Sequence, residues 1–515
     1  MTDAAHTPPS RRAFLGSQLA AAAAMTLRGT ARAQTTAARK PNLLFLWTDE
    51  QRPDTMAAYG NPVIHTPHMN RLAPECVVFR NAYVSQPVCT PSRSTVMTGL
   101  WPHMNGCTEN NIALPHDVAA FPELVADPDY VTGYFGKWHL GDEVFAQHGF
   151  QEWRSIEDGY RRYYREQRED ARKSDYWHFL RGYGYEPPGE RGDFSRGFAA
   201  SLPYEHSKPR FLERETCDFL RRHRDEPFML YVNFLEPHMP FTGPFNDEHG
   251  LDEVCLPANF NDPLEETEPA SYRALRDRYL ASGWNEDMPL KTEAHWRRLI
   301  ANYWGLVHEV DTAVGGILRT LEDLGLMENT ILVYTSDHGD MMGSHRLIAK
   351  CFSYEESERV PWLMRIPGVP GRTIEDPASH IDLVPTLLDL LGIRTGAGLP
   401  GKSLVPCIRD RRSPGPVFVE WNPGGTVVTS GPNPAGALRS TDPPEGNAFR
   451  TVVMRDGWKL TLHTREPHQL YNLARDPGET VNLFGRTEHA GRVRAMTEVL
   501  RAWQREVKDP VELQC

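Results

Sequence analysis

The chain has 515 residues, of which 40% are hydrophobic and 24% charged, and a formal net charge of −12. This is an ordinary globular balance, long enough for one large domain and a smaller one, and its acidity excludes a general nucleic-acid or membrane-surface binder. Eight cysteines over this length do not make a disulfide framework, and an acidic protein that handles an anion must gather its positive charge in one pocket.

The start of the chain reads as an address. Ser10-Arg11-Arg12-Ala13-Phe14-Leu15 precedes an alanine-rich apolar stretch that ends near Leu27, and Ala31-Arg32-Ala33 offers small residues for cleavage. Residues 1–33 resemble a twin-arginine export signal, which implies a twin-arginine translocase as partner, cleavage after Ala33 and a periplasmic mature protein. The apolar stretch is too short and too weakly apolar for a comfortable bilayer span, and no later segment offers one.

The continuous apolar run at 43–48 predicts a central parallel strand buried on both faces. It ends in Asp49-Glu50. In open α/β sheets the site lies beyond the carboxyl ends of the strands, so this pair suits a metal; a helix cap is the bland alternative. A short helix is expected after Thr66-Pro67, with His65 and His68 in structural or surface roles. Residues 84–99 read as a loop that becomes a helix at Pro91, with Cys89 at its positive end and Arg93 offering a planar fork for an oxyanion.

A strand at 130–135 leads to Gly136-Lys137-Trp138-His139, and another at 227–235 leads to Pro237-His238-Met239-Pro240. Between them, the dense mixture of charge and aromatics at 154–194 reads as a solvated insertion near a pocket rim. Residues 256–290 read as an aperiodic excursion over the surface. Leu299, Tyr303, Leu306, Val310, Ile317 and Leu321 predict a long helix, followed by a strand at 330–336 that ends in Asp337-His338-Gly339. Lys350 follows, then a strand at 361–367 and a helix near 383 with Asp382 as its cap. Residues 421–448 predict a long irregular loop. Asp456-Gly457 predicts a tight hairpin between 451–455 and 458–462, and Val493, Met496, Leu500, Trp503 and Val507 mark a final helix.

Cys89-Thr90-Pro91-Ser92-Arg93 with Thr98-Gly99 resembles the signature of the type I sulfatases, of the alkaline phosphatase superfamily. Gly136-Lys137-Trp138-His139, Pro237-His238-Met239-Pro240-Phe241 and Ser336-Asp337-His338-Gly339 resemble further motifs of that family. The resemblance implies an α/β fold with a large mixed, mostly parallel sheet between helices and a small C-terminal α+β subdomain. It divides the chain into a catalytic domain at 40–408 and a subdomain at 415–515.

It also implies a sulfuric ester hydrolase in which Cys89 is oxidised to Cα-formylglycine by a maturation enzyme. Asp49, Glu50, Asp337 and His338, with the modified Cys89, would hold a divalent cation. Calcium is the usual one, and the histidine leaves room for magnesium, manganese or zinc. Arg93, Lys137 and Lys350 would hold the sulfate, His139 would assist the formylglycine hydrate, and His238 with Lys350 would protonate the departing alcohol. The family carries Asp-Asp where this chain has Asp49-Glu50. The implied substrate is a sulfated small molecule or glycan, selected by the segments 154–194, 256–290 and 421–448. The nearest rival is a phosphonate monoester or phosphodiester hydrolase, which shares the nucleophile and commonly shows Asp-Gln at that position. A rival of another class is a non-catalytic binding protein on the same fold.

Overall fold

An uninterrupted apolar strand must be covered on both sides, and the computed structural model puts residues 42–49 at the centre of an eight-stranded sheet. It describes residues 1, 39–160, 172–189, 192–410, 412–422 and 446–513. The expected export signal and most of the loop at 421–448 lie outside the described residues.

In chain order the strands are β1 (Asn42–Asp49), β2 (Val77–Phe79), β3 (Ala82–Tyr83), β4 (Val131–Gly136) and β5 (Glu152–Ser155). There follow β6 (Phe228–Pro237), β7 (Thr330–Ser336), β8 (Arg359–Val360), β9 (Trp362–Arg365), β10 (Arg372–Ile374) and β11 (Ala378–Ser379). The large sheet has the order β10-β2-β9-β7-β1-β6-β4-β5, while β3, β8 and β11 form a small separate sheet. β1 runs parallel to β6 and β7, and β4 parallel to β6 and β5. Only β9 opposes its neighbours β2 and β7. The sheet is therefore mixed and mostly parallel.

The period-two pleat of β1 divides the core. Leu43, Phe45 and Trp47 join one apolar cluster with Val96, Met97, Leu383 and Leu387; Leu44 and Leu46 join another with Met69, Leu212, Val310, Val314 and Ile317. Five helices supply these partners: α1 (Pro67–Leu72), α2 (Cys89–Thr98), α3 (Lys208–Arg222), α4 (Glu293–Asp323) and α5 (Leu383–Leu390). Helices thus cover both faces. Each large side chain so buried contributes about 1.5–3 kcal/mol relative to exposure.

At the C-terminal end, β12 (Val417–Trp421), β13 (Phe449–Val453), β14 (Trp458–His463) and β15 (Gln469–Asn472) form an antiparallel sheet in that order. The turn between β13 and β14 uses Gly457 at φ +79°. Helix α6 (Ala490–Val507) packs Met496, Leu500, Trp503 and Val507 on Val452, Leu460, Leu462 and Leu470. The described residues from Pro41 onward form one compact unit. Among the described residues, no helix is long and apolar enough to cross a membrane.

Three local expectations change. Helix α2 starts at Cys89, not Pro91, so the thiol sits on the first helical residue. Pro91 is still in the first turn, where backbone N–H groups have no intrahelical partner. Asp382 takes the N-cap position of α5 as expected, but its side chain makes no capping bond and instead accepts the Lys402 N–H at 2.7 Å. Residues 256–290 are not a bare excursion. They include a helix at Ala270–Ser282 and bury Phe260, Leu264, Tyr272, Leu275 and Tyr279 in a third apolar cluster.

Gly136 closes β4 at φ +118°, and a Cβ there would lie 1.9 Å from the Asn233 carbonyl oxygen of β6. Gly136→Ala is expected to cost about 2–4 kcal/mol by urea unfolding and to displace the adjoining Lys137. Gly60 has φ +103° but open space around it, so Gly60→Ala is the control, expected to cost about 1 kcal/mol.

Candidate active site

Four neighbouring strands, β7, β1, β6 and β4, end on one edge of the sheet. Asp49 is the last residue of β1, and Asp337 and His338 follow β7 directly. Lys137 follows β4 and His238 follows β6. Helix α2 brings Cys89 and Arg93 into the same place. All of these side chains are buried, Asp49, Arg93, Lys137, Asp337 and His338 to zero exposure. The geometry comes from the parallel sheet: polar residues that leave adjacent strand ends converge without any contact along the chain.

Asp49 Oδ2 accepts hydrogen bonds from Lys137 Nζ at 2.5 Å and Arg93 Nη2 at 2.7 Å. Arg93 Nε donates to Asp337 Oδ2 at 2.8 Å, and its guanidinium lies 4.8 Å from the Trp47 ring centre. Asp337 is further held through its carbonyl, which accepts from the Ser92 hydroxyl. Its Oδ1 accepts the Glu50 N–H at 3.2 Å. Burial penalises the Asp49 carboxylate, but the neighbouring cations, Lys137 first and Arg93 with it, outweigh it and hold its pKa well below the usual value.

Cys89 Sγ stands 3.3 Å from His338 Nε2 and 3.8 Å from Asp49 Oδ1. Burial and Asp49 push the thiol up, while Lys137, Lys350 and His338 prevail and bring it below its ordinary value. The His338 Nδ1–H donates to the Gly339 carbonyl at 2.9 Å, which turns Nε2 towards Asp49, Cys89 and Asp337. Despite its burial, Asp337 and Cys89 raise His338 to about 9.

The donor atoms of Asp49, Cys89, Asp337 and His338 lie within 4.8 Å of one another. Two buried carboxylates, one ring nitrogen oriented towards them and the side chain at position 89 fit a divalent cation, whose binding would displace the proton from that nitrogen. Glu50, expected among the ligands, gives Oε1 to Lys350 Nζ at 2.6 Å, and its carboxylate also forms a group with Asp49 and His238 whose donor atoms lie within 4.8 Å of one another and could hold a cation. Its Oε2 lies 3.7 Å from His238 Nε2, and this atom finds no hydrogen-bond partner among the described residues. Glu50 has φ +74°, a left-handed backbone that costs a non-glycine residue strain.

The two remaining histidines are neutral. Burial, then Lys137 and Arg93, hold His139 well below 6.5; burial and Lys350 do the same for His238. His139 takes φ +58°, and its N–H donates to Glu143 Oε1 at 2.7 Å, while the Trp138 N–H donates to Oε2 at 2.8 Å. Glu143, raised to about 7 by burial, thus holds the turn that presents Lys137 and His139. His139 Nε2 meets Asn111 Oδ1 at 3.1 Å, and its ring lies 4.2 Å from that of Tyr160. The His238 Nδ1–H donates to the Met239 carbonyl at 2.8 Å, which leaves Nε2 facing Glu50.

A cleft of about 850 Å³ opens onto Cys89, Lys137, His139, His238 and Lys350. Of the site residues expected from the sequence, these five line the cleft, and Asp49, Glu50, Arg93, Asp337 and His338 are buried in contact with them. The sequence did not single out Glu157, Tyr160 and Arg196. Arg196 Nη2 donates to Tyr160 Oη at 2.5 Å and pairs with Glu157 Oε2 at 2.7 Å. These residues come from the insertion at 154–194 and just beyond, where charge is dense and no spacing marks one arginine from another.

The family model described as Sulfatase matches residues 41–393. The chain is 26% identical over 546 residues to the N-acetylglucosamine-6-O-sulfatase of Bacteroides thetaiotaomicron, covering 95% of this chain and 90% of the relative. It is 28% identical over 458 residues to the choline-sulfatase of Rhizobium meliloti, covering 86% and 82%. Its fold is similar to that of the phosphonate monoester hydrolase SpPMH from Silicibacter pomeroyi, with a TM-score of 0.74 and 24% identity over 90% of this chain and 96% of that one. A match over most of the chain, on a sheet whose edge gathers the motif residues, assigns the family: the chain belongs to the sulfatases and is a sulfuric ester hydrolase.

Proposed function

We propose that the chain hydrolyses the sulfate ester of a hydroxyl-rich alcohol, a sulfated sugar in the first instance, with residue 89 as nucleophile after conversion to Cα-formylglycine by a maturation enzyme. The observation that carries this is the placement of Cys89. It is buried at the first turn of α2, beside His338 and Asp49, with the cleft opening onto it and onto Lys137 and Lys350.

The converted side chain supplies an oxygen nucleophile and a link to the sulfo group that reverses without attack of water at sulfur. A divalent cation held by Asp49, Asp337, His338 and residue 89 (calcium first, then magnesium, manganese or zinc) would supply Lewis acidity there. The protein's own groups do the rest. Arg93 and Lys137 stand beside Asp49 and Asp337 and neutralise charge on the transferring group. Lys350, held charged despite burial by Cys89, Glu50 and Asp49, supplies the proton needed at the departing oxygen. His238 joins it once the anionic ester enters the cleft and raises its basicity. His139, neutral in the free protein, takes the proton whose loss lets sulfate depart.

The rim supports a polyol. Asn110, Asn111 and Asp193 offer hydrogen-bonding groups, while Tyr160, Phe194 and Trp284 offer apolar faces. Sulfate and diester hydrolysis are separated by kcat/KM on an aryl sulfate and a matched aryl phosphodiester. The sulfate is expected to be favoured by at least about 100-fold, which corresponds to about 2.7 kcal/mol of transition-state discrimination. A preference for the diester would overturn the proposal in favour of the phosphonate or phosphodiester hydrolase.

A further inference from the structure

A second group of metal-ligating side chains lies outside the cleft lining. His65 precedes α1, Glu248 and His249 belong to the segment after β6, and His308 sits on α4. His65 Nδ1 is 2.7 Å from Glu248 Oε1, and His308 Nδ1 is 3.6 Å from the same oxygen. The donor atoms of His65, Glu248 and His308 lie within 4.8 Å of one another. Tetrahedral coordination with metal–ligand bonds near 2.0–2.1 Å needs edges of roughly 3.3 Å, so the observed spacings straddle what a cation would set.

The surroundings of the cluster are unusual for surface histidines. The His65 ring meets that of His249 at 5.2 Å and that of His308 at 5.7 Å. His249 is 2% exposed. Its Nε2 and the His308 Nδ1 are enclosed without a hydrogen-bond partner among the described residues. Burial first of all, with the neighbouring histidines, lowers His249 and His308 although the Glu248 carboxylate raises both. Neutral imidazoles are the ligating form.

We propose that His65, Glu248 and His308 form a second divalent-metal site. Two imidazoles and one carboxylate select a borderline cation of the zinc class over calcium, with the fourth position open to solvent beside the exposed His65. The cation would join three stretches distant in sequence. One begins at His238, Met239 and Pro240, which line the cleft, so the site would clamp the segment after β6 against α4. It contributes no group to the reaction; its effect is on stability.

The test uses the full chain, stripped with a chelator and reloaded with zinc, beside His65→Ala and Glu248→Gln. His65 has 58% of its side chain exposed, so His65→Ala is not expected to disturb folding, and matched melting of the stripped proteins checks this. The wild type is expected to retain one more equivalent of zinc per chain than either variant. Its zinc-dependent rise in Tm should also exceed that of both variants by several degrees. Cobalt in place of zinc should give a tetrahedral visible band that His65→Ala removes. Equal zinc content and an equal Tm response in all three proteins would overturn the site.

Discussion

Replacing Cys89 by alanine or by serine is expected to remove turnover of a sulfate ester, lowering kcat by at least about four orders of magnitude. Alanine leaves no nucleophile. Serine keeps an oxygen, but a single hydroxyl that has taken up a sulfo group has no second hydroxyl from which His139 could remove a proton to expel sulfate. The serine variant must be made in a host without serine-type maturation. Full multiple turnover by that variant would contradict a self-reversing link at residue 89. Neither change should unfold the protein: position 89 is on the first turn of α2, and the helix is fixed by Arg93, Ser92 and its apolar neighbours.

The second large effect is expected at Asp49. Asp49→Asn removes the charge that faces both Arg93 and Lys137 at full burial, and takes a donor from the proposed cation. Arg93 keeps Asp337, but Lys137 loses the carboxylate that holds it. A buried ammonium without its partner is costly, and the variant is expected to lose about 3–5 kcal/mol of stability and at least about 1000-fold in kcat/KM. The pH dependence has a definite sign. The Asp49 pKa is depressed below 3.8, so its contribution is fully present above that value and fades as pH falls below it. The stability gap between wild type and variant should therefore be widest near neutral pH and shrink below about pH 4. Unfolding curves across pH, with kcat/KM at neutral pH, check both parts; an unchanged stability and rate would contradict the account.

Much of this arrangement was legible along the chain because a parallel sheet writes itself locally. Four apolar runs each break into chemistry at their carboxyl ends: Asp49, Lys137 and His139, His238, and Asp337 with His338. The sheet order brings those ends together. The side-chain direction of Glu50 was not legible. Adjacency to Asp49 implied a shared ligand role and could not announce that Lys350 takes one of its oxygens while the carboxylate stays within reach of Asp49 and His238. The helix at Ala270–Ser282 was hidden because its buried face, Tyr272, Leu275 and Tyr279, is interleaved with Arg273, Arg276, Asp277 and Arg278. The partners His65, Glu248 and His308 lie on three separate elements, and nothing in their spacing could announce a cluster.

The central claim is a chemical change at one side chain, and the mass of the peptide that contains residue 89 tests it most directly. Protein made together with a maturation enzyme should yield that peptide about 18 Da lighter than the thiol form, as the loss of sulfur and two hydrogens for one carbonyl oxygen requires. An intact thiol at residue 89 in protein that hydrolyses sulfate esters at full rate would contradict it.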